Sequence, residues 1–442
     1  MHQRDILWFW FPLFASWLLM SAEGPIISAA INRLPNEVIM LAAQGLVLSL
    51  SVTIESPIIN ILATTTALAK DRRAYLLIRK FIWHWNIVLT AIALLIAYTG
   101  LFDAIVISGM NVPLEVAEWV RIGLRIMVPW SAAIGWRRFC QGILIRFNRT
   151  RAIAWGTLVR LTASGGGAIG LALLTDWPGV TIGATALIAG VTAEAVYATI
   201  AARPVIRKEF GPDRPPSADK PLTYHDLFWF HLPLAGTSLL MLLVQPMVAF
   251  SLARLDHPTQ SLAAWPLVFQ LMLIARSAAF ALPEVVIALT QGPAALRPIR
   301  RFTISLIVVN TLVVALVILT PLIGVYLFGI QDTTPEVGAV ARQGLYYFLL
   351  WPALTILTTW LRGLLINTRA TTVVNVAMGM NLFVTAAVLF LSFQLRWDGI
   401  FGAALALNLA SLAEVGVLSW GAQGSLRAIA DRRLEKVTPA QV

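Results

Sequence analysis

The sequence predicts an all-α polytopic membrane protein: twelve transmembrane helices in two six-helix lobes, related by a pseudo-two-fold axis along the membrane normal. Three observations predict it. Of 442 residues, 58 % are apolar and only 12 % charged, with a mean hydropathy of +0.78. That leaves too little polar material for a surface facing water. Apolar runs of about twenty residues, the length that crosses the hydrocarbon as a helix, recur along the whole chain. The chain also repeats itself at an offset of 221 residues.

The runs fall at 6–30, 39–69, 81–102, 116–145, 152–174 and 180–202, then at 227–253, 262–289, 303–328, 337–366, 371–395 and 400–426. Several approach thirty residues, which predicts tilting, kinking or projection beyond the bilayer. The first carries Pro12 and Pro25, and a break is expected at Glu23-Gly24-Pro25, because proline removes a helix hydrogen bond. Connections are short except between 203 and 225, where Pro212, Pro215 and Pro216 accompany five basic residues. The expected organisation is an N-lobe at 1–203, a cytoplasmic linker at 204–225, a C-lobe at 226–428 and a cytoplasmic tail at 429–442.

Basic residues set the orientation. Of 33 Lys and Arg, 22 fall at the N-terminus, in alternate loops and in the tail, against three (Arg33, Arg254, Arg396) on the opposite side. Both termini are therefore expected in the cytoplasm, with the chain in the plasma (inner) membrane. The net charge of +11 is a topological signal and no sign of nucleic acid. A single cysteine, Cys140, excludes an internal disulfide, and five scattered histidines call for no metal or cofactor.

The repeat is clearest where DILWFWFPLFASWLLM from Asp5 aligns with DLFWFHLPLAGTSLLM from Asp226, eight of sixteen positions being identical. The offset pairs Pro25 with Pro246, Trp130 with Trp351 and Gly142 with Gly363, then slips to 220 and pairs Glu194 with Glu414. An even number of helices per repeat gives both halves one orientation. Because the first run recurs as the seventh, it belongs to the fold and is not a cleaved signal. The major facilitator architecture has this duplication too, but KDRRAY at Lys70 lacks the glycines of its loop signature.

The proline pairs Pro12/Pro25 and Pro233/Pro246, the stretch AAINRLPNEVIMLAAQGLVLSLSV from Ala29, KDRR in the second loop and GILIRFNRTRAI from Gly142 resemble the multidrug, oligosaccharidyl-lipid and polysaccharide exporter superfamily. Within it they are similar to the progressive ankylosis protein branch. That resemblance implies a twelve-helix exporter of anionic metabolites such as nucleotides, pyrophosphate or citrate.

Eight basic residues lie within the spans, all arginine: Arg121, Arg125, Arg137, Arg138, Arg160, Arg276, Arg342 and Arg362. Five glutamates accompany them: Glu23, Glu55, Glu194, Glu284 and Glu414. A charge at a helix centre costs about 2.5–3.5 kcal/mol on insertion scales, so these groups must face protein or a wet cavity. Arg121 and Arg342 sit near outer helix ends, where they can snorkel. Glu55 and Arg276 are repeat mates of opposite sign. They either meet across the cleft between lobes, or bind substrate and proton separately, or pair within their own lobes.

At 1.5 Å per residue, Arg137 and Arg160 both lie about 13 Å from the inner boundary. With Arg138, Arg362 and Arg125 they suggest a port for an anion, since the planar fork matches phosphate and carboxylate; snorkelling to the helix ends is the plainer alternative. Glu23, beside the expected break, and Glu284 are candidates for a coupling ion, H⁺ or Na⁺, although Glu284 is also a possible partner of Arg276. Glu194 and Glu414 read as structural charges within their lobes. Ser164-Gly165-Gly166-Gly167 reads as close helix packing rather than a nucleophile.

The function expected is secondary active export by alternating access, moving a small anionic solute or a lipid headgroup through the bilayer, with one chain as the working unit. A cation-coupled multidrug antiporter is the nearest alternative. A membrane enzyme or flippase acting on lipid-linked phosphate is the alternative from another class. An enzyme would need a nucleophile with its base, or a metal cluster, and the sequence offers neither.

Overall fold

The structure, a computed structural model, describes residues 2–147, 149–212, 221–255, 257–290, 293–368 and 370–435, without the side chains of 150, 293, 371 and 425–435. Arg214, Pro215, Pro216 and Lys220 of the expected linker, Arg369 and the tail from 436 lie outside the described residues.

The described chain is helical throughout: α1 (Gln3–Ile31), α2 (Glu37–Ile59), α3 (Ile61–Leu68), α4 (Arg72–Tyr98), α5 (Leu114–Ile126), α6 (Trp130–Arg146), α7 (Thr150–Leu174), α8 (Gly179–Glu209), α9 (Tyr224–Leu242), α10 (Val244–Leu252), α11 (Pro258–Phe280), α12 (Leu282–Leu289), α13 (Pro293–Leu319), α14 (Leu322–Gly324), α15 (Pro335–Tyr347), α16 (Trp351–Asn367), α17 (Thr371–Gln394) and α18 (Gly399–Glu435). Among the described residues, ten stretches are long and apolar enough to cross a membrane, or eleven if the pair α15 and α16, bent by 46°, is one span. The fourth expected span differs. It is α5 followed by α6, and Arg121, Arg125, Arg137, Arg138 and Arg146 along it remove the apolarity that a span needs.

The repeat reappears in the backbone. α2 and α3 divide at Asn60, and α11 and α12 divide at Ala281, one repeat later. The Ser56 hydroxyl donates to Thr53 O at 2.7 Å and its mate Ser277 to Ile274 O at 2.6 Å, each just before the division. Asn36 and His257 share a left-handed conformation, as do Asn111 and Asp332, each pair 221 residues apart. Asn, Asp and His adopt that conformation several-fold more readily than other non-glycine residues. Short π-helical segments, Asp103–Gly109 and Val325–Ile330, occupy matching places.

One expected break is missing. α1 stays helical through Pro12 and Pro25. Gly24 packs so closely on Gln270 that a methyl group there would lie 3.0 Å from it, and Gln331 Nε2 donates to Pro25 O at 3.2 Å. This bracing outweighs the one hydrogen bond that Pro25 removes. In the second repeat α9 and α10 meet at Leu243, which keeps helical angles and the bonds Leu243 N to Leu239 O and Met247 N to Leu243 O, so Tyr224–Leu252 is also one span.

Contacts gather the chain into two compact units whose boundaries differ from those of the sequence lobes. The N-unit is Ile26–Pro266; the C-unit is Met1–Pro25 with Leu267–Val442. Most of α1 thus belongs with the second repeat, and α9 and α10 with the first. The N-unit core centres on Ile58, Ile78, Phe81, Phe139 and Ile143. The C-unit has two clusters, one on Trp10, Leu282, Val286 and Phe302, the other on Leu365, Ala377 and Leu418.

Ring N–H groups help bind the exchanged helices. Trp10 Nε1 of α1 donates to Ala278 O at 3.0 Å. Its repeat mate His231, on α9, bonds Pro57 O through Nε2 and Thr64 Oγ1 through Nδ1, both at 2.9 Å. Apolar faces remain uncovered, as on α13, where Val309, Leu312 and Leu316 are all more than half exposed. Lipid covers such a face.

Candidate functional site

In the N-unit the charged groups converge from four helices. α2 brings Glu55, α6 brings Arg137, Arg138 and Gln141, α7 brings Arg160, and α8 brings Glu194. Arg137 and Gln141 are one turn apart and share a face of α6. Both reach Glu194: Arg137 Nη1 makes a short ion pair with Oε2, and Gln141 Nε2 donates to Oε1 at 3.0 Å. Arg160 Nη1 lies 3.9 Å from the same Oε2, and its guanidinium sits 5.9 Å over the Trp130 ring. Arg137 and Glu194 are almost wholly buried.

Two charged groups of this cluster stay outside that network. Glu55, 5 % exposed, has an Oε2 with no hydrogen-bond partner, and the adjacent Trp130 Nε1 is likewise unbonded. Trp130 is thus the donor nearest to Glu55, short of full hydrogen-bond geometry, and Arg137, Arg138 and Arg160 act on Glu55 electrostatically without touching it. Arg138 is half-buried and makes no hydrogen bond or ion pair to a described residue, and its Nε is buried and unpaired.

The C-unit builds the same frame from different residues. Glu414 of α18 forms a short ion pair with Arg362 of α16, and Asn381 of α17 donates to its other oxygen at 2.9 Å. Arg362 is the repeat mate of Gln141, and Asn381 of Arg160. In both units, then, a carboxylate on the last helix is held from the two helices preceding it in its repeat, and only the donors change.

Arg276, the mate of Glu55, has no carboxylate in contact. Its Nε donates to Thr355 Oγ1 at 2.8 Å, and its plane lies 3.8 Å over the Trp351 ring. Thr355 in turn donates to Trp351 O at 2.9 Å, and Trp351 Nε1 to Ser411 Oγ at 3.0 Å. The guanidinium is thereby fixed while both Nη groups carry no hydrogen bond to a described residue. An arginine held in this way presents an oriented, open fork, the geometry that takes a carboxylate or phosphate bidentately.

Charge balance follows from the pairs. The N-unit cluster holds three arginines against two glutamates, and the C-unit cluster holds Arg276 and Arg362 against Glu414. With every group ionised, each has one positive charge in excess. The groups without a carboxylate in contact are Arg138 in one unit and Arg276 in the other, at positions that are not repeat mates.

The other expected site residues lie elsewhere. Arg125 is exposed on α5, its Nε donating to Ala97 O at 3.3 Å and its guanidinium 5.0 Å over the Tyr98 ring, away from the cluster. Arg362 belongs to the C-unit, so it does not extend the Arg137 cluster. Glu284 is exposed on α12 beyond the division at Ala281, and the carboxylate that Arg276 senses is Glu414. Glu23 is buried in the C-unit next to the contact of Gly24 with Gln270. The Ser164 hydroxyl bonds Arg160 O at 2.9 Å and packs on Gly190, which fits close helix contact. Gln141, Asn381, Thr355 and Trp351 escaped attention as neutral residues, although the repeat register links the first two with Arg362 and Arg160.

No family model and no curated relative matches the sequence. Solved structures do match. An inward-facing multidrug resistance MATE family transporter of the MOP superfamily aligns over 91 % of this chain and 95 % of its own, with 16 % identity and a TM-score of 0.65. A MOP superfamily transporter from Pyrococcus furiosus, described as having a binding pocket of reverse polarity, covers 96 % of both chains at 14 % identity and a TM-score of 0.66. The lipid II flippase MurJ, in an inward closed conformation, covers 96 % of this chain and 90 % of its own, at 14 % identity and a TM-score of 0.69. The chain has the fold of the MATE-like transporters of the MOP superfamily.

Proposed function

We propose that this chain is a secondary transporter working by alternating access, and that its substrate is an organic or phosphate-bearing anion. The observation that carries the reading is Arg276: a guanidinium fixed by Thr355 and Trp351, with its fork open and no carboxylate in contact. A cation site would place a carboxylate there. The resemblance of the N-terminal stretches to the progressive ankylosis branch supports the same substrate class. The distribution of basic residues supports a plasma (inner) membrane location with both termini cytoplasmic. A single chain, holding both repeats, is the working unit.

Proteoliposomes test the proposal. Labelled citrate, pyrophosphate and a nucleotide are offered beside a cationic dye under imposed pH and Na⁺ gradients, with a fluorescent phospholipid as the lipid-borne phosphate arm. Uptake of an anion is expected, with Arg276→Lys lowering it by about tenfold or more, because lysine has neither the fork nor the stacking plane. Movement of cations alone, or an Arg276→Lys variant with wild-type anion flux, would refute the proposal.

A further inference from the structure

Glu55 is a buried charge that the anion reading does not use. It is more than nine-tenths buried, its Oε2 makes no hydrogen bond of full geometry although Trp130 is nearby, and among the described residues no cationic group lies within ion-pair distance of it. A carboxylate in that state is costly if it stays ionised without a partner.

Its surroundings specify the partner. From α6 Arg137 acts on it most strongly and Arg138 next, and from α7 Arg160, while Glu194 of α8 acts on Arg137 and Arg138. α9 contributes His231, bound to Pro57 O two residues along α2, and α4 contributes the neutral Asn86. α5 brings no charge to this point, since Arg121 pairs with Asp103 and Arg125 lies against Tyr98. α10 and the start of α11, which also pack on α2, bring no ionisable residue there. Arg137 and Arg160 already serve Glu194. The charge left to balance Glu55 is Arg138, which is the charge left to bind an external anion.

We propose that Glu55 is an internal competitor of the transported anion and the proton-binding group of the cycle. With Glu55 ionised, its carboxylate offsets Arg138. When Glu55 takes a proton from the solution on the side of entry, that offset is lost and one carboxylate or phosphate group of the anion binds at Arg138. At this point one negative group replaces the charge that the proton cancels, so Arg138 is balanced before and after binding, and any further charge on the anion lies outside this exchange. Release of the anion on the far side returns the carboxylate to Arg138 and frees the proton. Anion and proton therefore move in the same direction, one proton per anion bound at this site. The proposal rests on the anion reading above and adds the coupling ion, which here is neither at Glu23 nor at Glu284.

The test compares wild type with Glu55→Gln in proteoliposomes, using labelled citrate and pyrophosphate at pH 6.5 and 7.5 with an internal pH dye. Titration of the probe itself affects both proteins alike, so the ratio of their fluxes isolates Glu55. Wild-type anion entry is expected to acidify the lumen, and its flux relative to Glu55→Gln to fall by up to tenfold between the two pH values, the limit for one proton. At the higher pH the variant is expected to exceed wild type. A flux ratio that does not change with pH would overturn the proposal, as would anion entry without acidification in wild type, which needs no variant. Either result would leave the anion reading standing. Transport of cations only would overturn both. A melting temperature of Glu55→Gln in detergent at or above that of wild type confirms that the comparison is between folded proteins, and a folded variant devoid of anion flux would also refute the proposal.

Discussion

Replacing Glu194 by alanine removes the carboxylate on which Arg137, Gln141 and Arg160 converge. The Arg137 side chain is 4 % exposed and cannot turn to water, so the variant keeps a buried guanidinium with no carboxylate in contact, Glu55 acting on it only from a distance. Removing one partner of such a pair costs about 3–5 kcal/mol. The repeat supplies an internal control. Arg362, the partner of Glu414, is 22 % exposed and can be hydrated, so Glu414→Ala is expected to lose closer to the ~1.5–3 kcal/mol of a charged hydrogen bond. Heating detergent-solubilised protein in steps and measuring the monodisperse fraction by size exclusion ranks the variants. Glu194→Ala should melt lowest, Glu414→Ala between it and wild type. The double variant Arg137→Leu/Glu194→Leu should recover part of the loss, because the unpaired charge is gone and Arg160, 16 % exposed, can reach water. A Glu194→Ala protein that melts with wild type, or a double variant no better than the single, would refute the reasoning.

Two further outcomes test the packing. A side chain at Gly142 would begin 2.8 Å from Leu62 O and 2.7 Å from Thr65 Cβ, and one at Gly363 2.8 Å from Val286 Cβ. Gly142→Val and Gly363→Val are therefore each expected to lose about 1–3 kcal/mol or more in the same melting assay, and unchanged melting would place α6 away from α3, or α16 away from α12. His231→Phe removes two hydrogen bonds, to Pro57 O and to the Thr64 hydroxyl, which keeps its bond to Asn60 O at 3.3 Å, whereas Trp10→Phe removes only the bond to Ala278 O. At about 0.5–1.5 kcal/mol per hydrogen bond lost, His231→Phe should be the more destabilising of the two, and the reverse order would contradict the bonding described.

Much of the architecture was legible in the order of residues. Apolar runs reveal spans because a helix in lipid must satisfy its backbone internally and expose apolar side chains. The 221-residue register reveals the duplication, and the structure shows paired divisions at Asn60 and Ala281 and paired left-handed residues on that register, since similar sequence at equal places makes similar local geometry. Pro25 marks the limit of such reading. Its missing hydrogen bond is evident in the sequence, but whether the helix breaks there depends on Gln270 and Gln331, about 245 and 306 residues away.

The candidate site was legible in height and not in direction. Counting residues at a fixed rise placed Arg137 and Arg160 at one depth, and in the structure they reach one carboxylate. Depth says nothing about azimuth, however, and Arg137 and Arg138, adjacent in sequence, point about 100° apart on α6. One is spent on Glu194 and the other is not.

By itself, then, the sequence determined that this chain is an all-α polytopic membrane protein, that it repeats itself at 221 residues, and that arginines outnumber glutamates inside its apolar spans. Those properties are carried by hydropathy, periodicity and charge, which are sums over the chain. Only the tertiary structure decided that α1 and α9 change places between the units, that Glu194 and Glu414 consume Arg137 and Arg362, and that Arg276 and Arg138 are left over. These are choices among partners distant in sequence. They are fixed by which helix faces which across a few ångströms, because the energy of a buried charge depends on the one group next to it.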